Sequence, residues 1–404
     1  MKKIVLIGTG DYYKNLISPS LDLMKKEGML ELFATVSRDL KDLNKPDIFS
    51  GVEHIARMGQ EKLSSLLPDF EGKNTIVLLG HANRFHVPDA KDLVENNFRV
   101  MIEKPYCIDK SQLETLQGLL DSHPNEIGLL EYYLTMKSIP LLILAGKVKQ
   151  KSFYFRKKGL LKVYPGLRRF TKNIAELSGK IRELIGIPKS ILVEVLEGEG
   201  ETGRLDHRGA HLSDLREGGG MIQDLGIHAV SSLFALEDYI GEIDQSFNKG
   251  KVKVARCREY VDMAKNKFKI PDKYIGETYA QMNFFTLKGV PVIVSVGKYV
   301  LPNKNQRRIV VVGDRGQLSL DLSSCILSIS GIKILEIPKI SNSKYYPVLR
   351  AVFEAMEGRS PFNFDINDVA IKSQSFILNV LQKAYLKKRK IGLVYKVGSF
   401  PQNI

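Results

Sequence analysis

Residues 217–228 hold three consecutive glycines followed by two side chains that handle protons. Glycines let a backbone turn sharply and approach another group closely. Asp224 and His228 lie four residues apart, so a helix that begins near Asp224 places both on one face. A carboxylate beside an imidazole can accept and return protons. The other interpretation is a glycine-rich loop before a helix, with Asp224 as N-cap and His228 as a packed histidine.

A second candidate for proton transfer is Lys104. It follows an apolar run over residues 99–102, within the sequence Glu103-Lys104-Pro105. At the end of a strand, a lysine can exchange a proton with a substrate hydroxyl. An exposed lysine in a turn fixed by Pro105 is the other interpretation.

The elements that must position these residues alternate between apolar strands and helical segments. Predicted strands cover residues 3–7, 30–36, 75–79, 99–102 and 127–130. Alternation of this kind predicts a Rossmann-type, doubly wound parallel sheet, in which ligands bind at the carboxyl ends of the strands. The candidate cofactor-binding residues at or near those ends are Gly8, Thr9, Gly10, Asp11, Tyr12, Ser37, Arg38, Gly80, His81, Asn83, His86, Glu103 and Lys104.

The end of the second strand bears on the choice of dinucleotide. An acid at this place would accept a hydrogen bond from a ribose 2′-hydroxyl. This chain has Ser37 and Arg38, and a guanidinium suits a 2′-phosphate. We therefore expect NADP in preference to NAD. Asp39 lies close enough to weaken this preference, and the other interpretation is that Ser37-Arg38 begins an ordinary loop, so NAD stays open.

The composition is that of a soluble globular protein. The 404 residues are 44% hydrophobic and 26% charged, with a formal net charge of +15. No apolar run approaches the roughly 18 residues of a membrane helix. The three cysteines lie far apart, which predicts a reducing, cytoplasmic setting and no metal site. The basic residues form no nucleic-acid recognition pattern, so we expect neither a nucleic-acid nor a membrane partner, and an anionic substrate stays open.

The second half of the chain has a different pattern. We place a domain boundary near residue 130, which gives domains 1–130 and 131–404. Residues 148–189 are basic and weakly patterned, as in an insertion. Later strands follow one another through glycine turns, which predicts an α+β domain with an open, mostly antiparallel sheet. Helices are expected within residues 346–390.

Taken together, the order of these motifs resembles the Gfo/Idh/MocA family, named for glucose–fructose oxidoreductase and inositol dehydrogenase. The motifs are the Gly8–Gly10 turn, Glu103-Lys104-Pro105 and the glycine run that leads to Asp224 and His228. The resemblance implies a nicotinamide cofactor, a sugar, cyclitol or related polyol as substrate, and a homo-oligomer formed through the C-terminal sheet. It also implies that Lys104, Asp224 and His228 are catalytic. His81-Ala82 departs from the family's usual Thr-Pro.

Three functions follow from this resemblance. The leading hypothesis is an NAD(P)-dependent oxidoreductase in which a substrate hydroxyl gives its proton to Lys104, coupled with His228, while its carbon gives hydride to the nicotinamide. The alternatives are an NAD-dependent glycosidase that uses oxidation and elimination, and a non-catalytic sugar or dinucleotide sensor. Basic residues before the glycines suggest an anionic or nucleotide-linked sugar, although a solvated loop is equally expected. The candidate substrate-binding residues are Lys104, Tyr132, Arg208, Arg216, Asp224 and His228.

Overall fold

The computed structural model describes residues 1–8, 17–37, 52–57, 61–67, 70, 72–155, 162–163, 179, 182–197, 218–261, 267–269, 276–298, 305–337, 345–385 and 393–396. The chain forms two units. The first unit is Met1–Tyr132 with Lys339–Ser360 and Asp365–Asn367. The second unit is Tyr133–Pro338 with Pro361–Phe364 and Asp368–Ile404.

The strands and helices of the described residues are numbered in chain order. The strands are β1 Lys2–Ile7, β2 Leu30–Ser37, β3 Glu53–Ala56, β4 Thr75–Leu79, β5 Arg99–Glu103, β6 Ile127–Leu130, β7 Lys162–Val163, β8 Pro188–Glu197, β9 Lys251–Val261, β10 Lys267–Lys269, β11 Tyr279–Phe285, β12 Pro291–Lys298, β13 Gln306–Gly313, β14 Gln317–Asp321, β15 Ile326–Ile329, β16 Ile332–Glu336 and β17 Leu393–Lys396. The helices are α1 Ser18–Lys26, α2 His86–Glu95, α3 Lys110–Ser122, α4 Ile139–Leu144, α5 Met221–Asp224, α6 Gly226–Phe234, α7 Glu237–Ile240, α8 Tyr346–Met356 and α9 Ile366–Tyr385.

The first unit is built on a six-stranded sheet in the order β3-β2-β1-β4-β5-β6. Every neighbouring pair in it is parallel. All residues of β4 and β5 are buried, since a parallel sheet with both faces covered needs continuous apolar strands. The predicted parallel sheet is confirmed. The prediction missed β3, because its half-exposed sequence Glu-His-Ile-Ala carries no apolar run.

Helix α8 packs on β6 and α1 of the first unit. Residues 346–390 were expected in the second domain, but α8 lies in the first unit. The guanidinium of Arg99 links β5 to the end of this helix. It donates to the carbonyl of Met356 at 2.7 Å and forms an ion pair with Glu357. The apolar stripe of α8 faces the sheet at Gly128, where the missing side chain makes room for Val352 and Met356. Residues 386–390 lie outside the described part of the chain.

The second unit contains an 11-stranded sheet. Along it, β10-β9-β11-β12 and β13-β14-β15-β16-β7 are antiparallel runs on either side of β8. This confirms the prediction of an open, mostly antiparallel sheet. Two pairings are parallel, β8 with β12 and β9 with β17. Sequence patterns did not reveal the first, because β8 and β12 are separated by the whole glycine and helix segment.

The two faces of this sheet differ in what covers them. Helices α5 and α6 pack against β12, whose Val292, Val294 and Val296 are buried in alternation. The opposite face of β12 carries Ile293, which is 38% exposed, in line with exposed apolar side chains on neighbouring strands. Among the described residues, this part of the sheet therefore exposes apolar side chains.

The starts of two helices are set by specific contacts. Asp109 is the N-cap of α3 and accepts from the backbone N–H of Gln112 at 2.8 Å. The helix expected from Asp224 begins at Met221 instead, so Asp224 ends a short first segment rather than capping one. Of the insertion at 148–189, residues 156–161, 164–178 and 180–181 lie outside the described residues.

No helix within the described ranges has the length and apolar character that crossing a membrane requires.

We predict that Gly128→Ala destabilises the protein, because the added methyl group falls inside contact distance of Val352 and Met356. Overpacking of this kind costs about 1–3 kcal/mol of unfolding free energy. The matched control is Gly118→Ala in α3, where a new Cβ meets nothing within 4 Å. Urea denaturation should show a gain of about 0.5–1 kcal/mol for the control, since alanine favours helix. Equal effects of the two substitutions would contradict this packing.

Candidate functional site

The strand ends of the first unit form a row. Residue pairing aligns Ile7 with Val36 and with Leu79, and Leu79 with Ile102. The residues that follow these strands therefore emerge side by side at the carboxyl edge of the sheet. Ser37, Gly8, Gly80 and Lys104, all predicted from the sequence, are brought to this one edge. In doubly wound sheets it is the edge where ligands bind.

Gly8 is where two of these loops touch. Its backbone N–H donates to Val36 at 2.9 Å, and the N–H of Gly80 donates to Ile7 at 3.1 Å. The φ angle of Gly8 is +90°, and a Cβ there would lie 3.2 Å from the backbone of Gly80 and His81. Only glycine combines this conformation with this close approach. The result is a bare backbone surface of the kind that a pyrophosphate approaches.

A charged cluster supports His81 beside that surface. The guanidinium of Arg57 donates to both oxygens of Asp89, at 2.6 and 2.9 Å, and His81 contacts the same carboxylate through Nε2 at 2.7 Å. Burial alone would raise the pKa of Asp89, but the hydrogen bonds from His81 and Arg57 outweigh it and hold that pKa below its ordinary 3.8. The backbone N–H of Arg57 also donates to Ser37 at 3.0 Å. Arg57, which follows β3, therefore contacts both the end of β2 and the first turn of α2.

The second nitrogen of His81 is the feature that points to a ligand. Nδ1 is buried and has no hydrogen-bond partner within the part of the chain that the structure describes. With Nε2 held by Asp89, Nδ1 of a neutral ring can accept from a ribose hydroxyl or an amide N–H. A buried polar atom without a partner costs free energy. Gly8 and this nitrogen therefore fit a dinucleotide at this edge.

His86, another predicted cofactor-binding residue, is buried between two loops. The ring is 1% exposed, with Nδ1 2.9 Å from the carbonyl oxygen of Pro105 and Nε2 3.2 Å from that of His81. Burial, and secondarily repulsion from His81, lowers the pKa of His86 to about 3. A neutral imidazole has one N–H, and the shorter contact assigns it to Nδ1. His86 therefore joins the turn after β5 to the loop after β4. Asn83 is buried in the same loop.

The Glu103-Lys104-Pro105 turn is held mainly through its glutamate. Glu103 is 8% exposed and accepts from the hydroxyl of Tyr345, which is itself buried. Tyr345 stacks on Tyr132 with ring centroids 5.5 Å apart and planes 4° from parallel. Lys104 is half-buried, and the peptide that joins it to Pro105 is cis. The predicted substrate residue Tyr132 is thus part of the packing behind Glu103.

In the second unit, a buried carboxylate lies against Gly220, the last of the three glycines. Glu277 is 1% exposed and accepts from the backbone N–H of Ile222 at 2.7 Å, at the start of α5. Gly220 has φ +95°, and a Cβ on it would lie 2.8 and 3.0 Å from the two oxygens of Glu277. The hydroxyl of Tyr385 donates to the same carboxylate. Burial raises the pKa of Glu277, against the lowering effect of these hydrogen bonds.

Asp224 and His228, which sequence reasoning paired, have separate partners. Lys298 donates to Oδ2 of Asp224 at 2.9 Å, and the two side chains are 9% and 13% exposed. His228 stacks on Tyr133, with ring centroids 4.5 Å apart and planes 11° from parallel. Both of those rings are buried. Asp224 is thus one half of an ion pair, and His228 is one half of an aromatic stack.

Seven predicted site residues lie outside the part of the chain that the structure describes. They are Thr9, Gly10, Asp11, Tyr12, Arg38, Arg208 and Arg216. Sequence reasoning in turn missed Arg57, Asp89, Glu277 and Lys298. None of these four belongs to a motif, and only a charged residue inside an otherwise apolar strand, Lys298 after the valines of β12, offered a signal.

Comparisons with known proteins agree with the fold. No family profile and no curated protein matches the sequence. Among solved structures, an oxidoreductase from Thermotoga maritima has a TM-score of 0.65 at 15% identity, over 95% of this chain and 96% of that one. The WlbA dehydrogenase from Chromobacterium violaceum, in complex with NADH and UDP-GlcNAcA, has a TM-score of 0.62 at 15% identity, over 96% and 94%.

A third similar structure is a 3-ketoreductase from Actinomadura kijaniata in complex with NADP and TDP-benzene. Its TM-score is 0.59 at 13% identity, over 94% of this chain and 96% of that chain. These likenesses cover nearly the whole of each chain. They establish a Rossmann-type sheet followed by an α+β domain as the fold of this protein.

We predict that Gly220→Ala costs more stability than Gly331→Ala. Both glycines have positive φ, so each alanine should lose about 1–2 kcal/mol from backbone strain. Gly331 has nothing within 4 Å of a new Cβ, whereas Gly220 meets the Glu277 carboxylate. Displacing that buried group should add about 1–3 kcal/mol, measured as unfolding free energy in urea. Equal losses would show that Glu277 does not press on the glycine run.

We also predict a pH dependence of stability from His86. Below its ordinary pKa of 6.5 the unfolded chain takes up a proton, while the folded ring stays neutral until its pKa of about 3. Stability therefore falls as the pH falls through this window, by about 2 kcal/mol at pH 5. His86→Gln should remove that part of the difference between unfolding free energies at pH 7 and pH 5.

The matched control for this measurement is His123→Gln, which removes a partly exposed imidazole from the same unit. An identical pH dependence in wild type and His86→Gln would contradict a buried, neutral His86.

Proposed function

We propose that this protein is an NAD(P)-dependent oxidoreductase that interconverts a hydroxyl and a keto group on a sugar or related polyol. The observation that carries the proposal is the carboxyl edge of the parallel sheet. There Gly8 and Gly80 present bare backbone, and His81 has a buried Nδ1 with no hydrogen-bond partner among the described residues. Chain-long likeness to structures that hold NADH or NADP supports it. A nicotinamide dinucleotide, when bound, supplies the hydride donor or acceptor.

The residues proposed to hold the dinucleotide lie in the first unit. Gly8 and the turn that follows it would receive the pyrophosphate, and His81 would accept a hydrogen bond through Nδ1. Ser37 and Arg38 favour NADP, because a hydroxyl and a guanidinium can both donate to a 2′-phosphate. Arg57, close to Ser37, donates three of its five guanidinium N–H groups to Asp89 and to the carbonyl of Glu61.

Proton transfer is proposed for three side chains. Lys104 would take the proton of the substrate hydroxyl in oxidation and return it in reduction. Asp224 would orient the substrate by accepting a hydrogen bond from a hydroxyl. His228 would share the proton with Lys104, and its stacking on Tyr133 fixes the plane in which its nitrogens lie.

For the substrate we propose a nucleotide-linked sugar. Two similar structures hold ligands with UDP and TDP groups. In this chain, Arg208 and Arg216 precede the glycine run and have the charge to bind a diphosphate. A net charge of +15 is consistent with an anionic substrate, because it attracts such molecules at long range.

We further propose that copies of this chain associate through the C-terminal sheet. Pairing places Phe285, Ile293 and Val312 on one face, where they are 62%, 38% and 37% exposed. An apolar patch of this kind is typical of an interface between subunits.

We predict that Lys104→Ala lowers turnover of a UDP-sugar with NADP by about 10²–10⁴-fold, the usual contribution of a general acid–base. Calorimetry should show NADP binding within about threefold of wild type, and tighter than NAD, because an amine at the reacting carbon adds little to dinucleotide affinity. The matched control is Lys110→Ala, an exposed lysine six positions along the chain. It should leave both measurements unchanged.

Full turnover by Lys104→Ala would remove Lys104 from the reaction. Failure of wild type to bind either dinucleotide would overturn the oxidoreductase itself. Turnover of a glycoside without net change in the cofactor would favour the redox-cycling glycosidase in its place.

A further inference from the structure

An ammonium group is built into an apolar face of the second unit. Residues Val292, Val294 and Val296 alternate along β12 toward helices α5 and α6. Lys298 is the next side chain in this row and is 7% exposed. A strand end that leaves the sheet normally turns its lysine to solvent. Here the side chain continues the buried row, so its charge needs a partner inside the fold.

Asp224 is that partner. The distance from Lys298 Nζ to Asp224 Oδ2 is 2.9 Å, which is a charge-assisted hydrogen bond. Both groups are largely withdrawn from water, where an ion pair is screened little. The backbone of Lys298 is itself fixed, because its N–H donates to Thr278 at 2.9 Å. The ammonium is therefore anchored in the sheet, whereas the carboxylate is carried by a helix of one turn.

The other end of that short helix is also held by the sheet. Glu277, next to Thr278, accepts the N–H of Ile222, so α5 is fixed at its start by a carboxylate and at its end by an ammonium. This polarity matches the helix dipole at the start, where the exposed N–H groups favour an anion. Two charged side chains from β12 and the segment before β11 thus set the position of Asp224.

We propose that Lys298 is a positioning residue, which acts on the substrate through Asp224. It holds the carboxylate in one orientation and cancels its charge, so that Asp224 receives a neutral sugar hydroxyl and does not select a cationic amine. This inference rests on the proposed function, in which Asp224 orients the substrate. It adds a specificity determinant that the motif sequence does not contain.

A double-mutant cycle tests the proposal. The variants are Lys298→Met, Asp224→Asn, the two combined, and Lys298→Arg, each assayed with NADP and UDP-GlcNAcA or the corresponding UDP-sugar that wild type turns over. We expect Lys298→Met to lower kcat/KM by about 100-fold, as misplacement of an orienting group does. Lys298→Arg should recover most of that loss, because a guanidinium can pair with the same carboxylate.

The combined variant decides the mechanism. If Lys298 acts only through Asp224, adding Lys298→Met to Asp224→Asn should change kcat/KM by no more than about twofold. A further loss of about tenfold would overturn the proposal, because Lys298 would then act on its own. The double variant removes both charges, so it leaves no unpaired buried ion and stays measurable if Lys298→Met alone fails to fold.

The control is Lys288→Met at the other end of the same hairpin, where the lysine is exposed. It should match wild type. If wild type turns over no sugar at all, the proposed function fails. If wild type is active and Lys298→Met equals it, only the role of Lys298 fails.

Discussion

The parallel pairing of β1 with β4 and of β4 with β5 is the constraint on which the first unit depends. It aligns three strand ends in one row, so that loops distant in sequence emerge next to one another. Gly8 can then touch the backbone of Gly80 and His81, and the Lys104 turn lies on the same edge. The hydrogen bond that His86 Nδ1 donates to the carbonyl of Pro105, and the contact of its Nε2 with the carbonyl of His81, join the same loops. This edge exposes mostly backbone atoms, and the register of the strands determines which residues supply them.

Buried charge has a complementary role in both units. In the first, Arg57 and Asp89 form a two-point ion pair, and the same carboxylate contacts Nε2 of His81. In the second, Glu277 and Lys298 hold the two ends of a one-turn helix. A helix that short has too few hydrogen bonds of its own to be stable. Its geometry therefore comes from the charged side chains around it.

The glycine run contacts a group within the protein, where the sequence suggested a ligand. Three glycines before an acid and a histidine suggest a loop that lets a ligand approach. In the structure, the group that approaches Gly220 is the carboxylate of Glu277, from the protein itself. Gly220 leaves room for this carboxylate, which accepts the backbone N–H of Ile222 at the start of α5. The segment that carries Asp224 and His228 therefore begins at a backbone held by a buried carboxylate.

The sequence alone was sufficient for the order and type of most elements. The strand at 75–79 and the strand at 127–130 were predicted at their observed limits, because a buried parallel strand is a short apolar run between polar turns. The residues at the carboxyl ends of those strands followed from the same reading. Strands β3 and β9 were not predicted, because their exposed and charged positions interrupt the apolar pattern.

Other features were decided only by tertiary structure. The partner of Asp224 lies 74 residues away along the chain, and the acid that caps α5 lies 55 residues from Ile222. The helix at Tyr346–Met356 joined the first unit because Gly128 leaves space for its side chains. Local propensity and spacing indicate whether a segment forms a helix or a strand. They do not indicate which distant charged side chain it will contact, because that contact depends on how the whole chain packs.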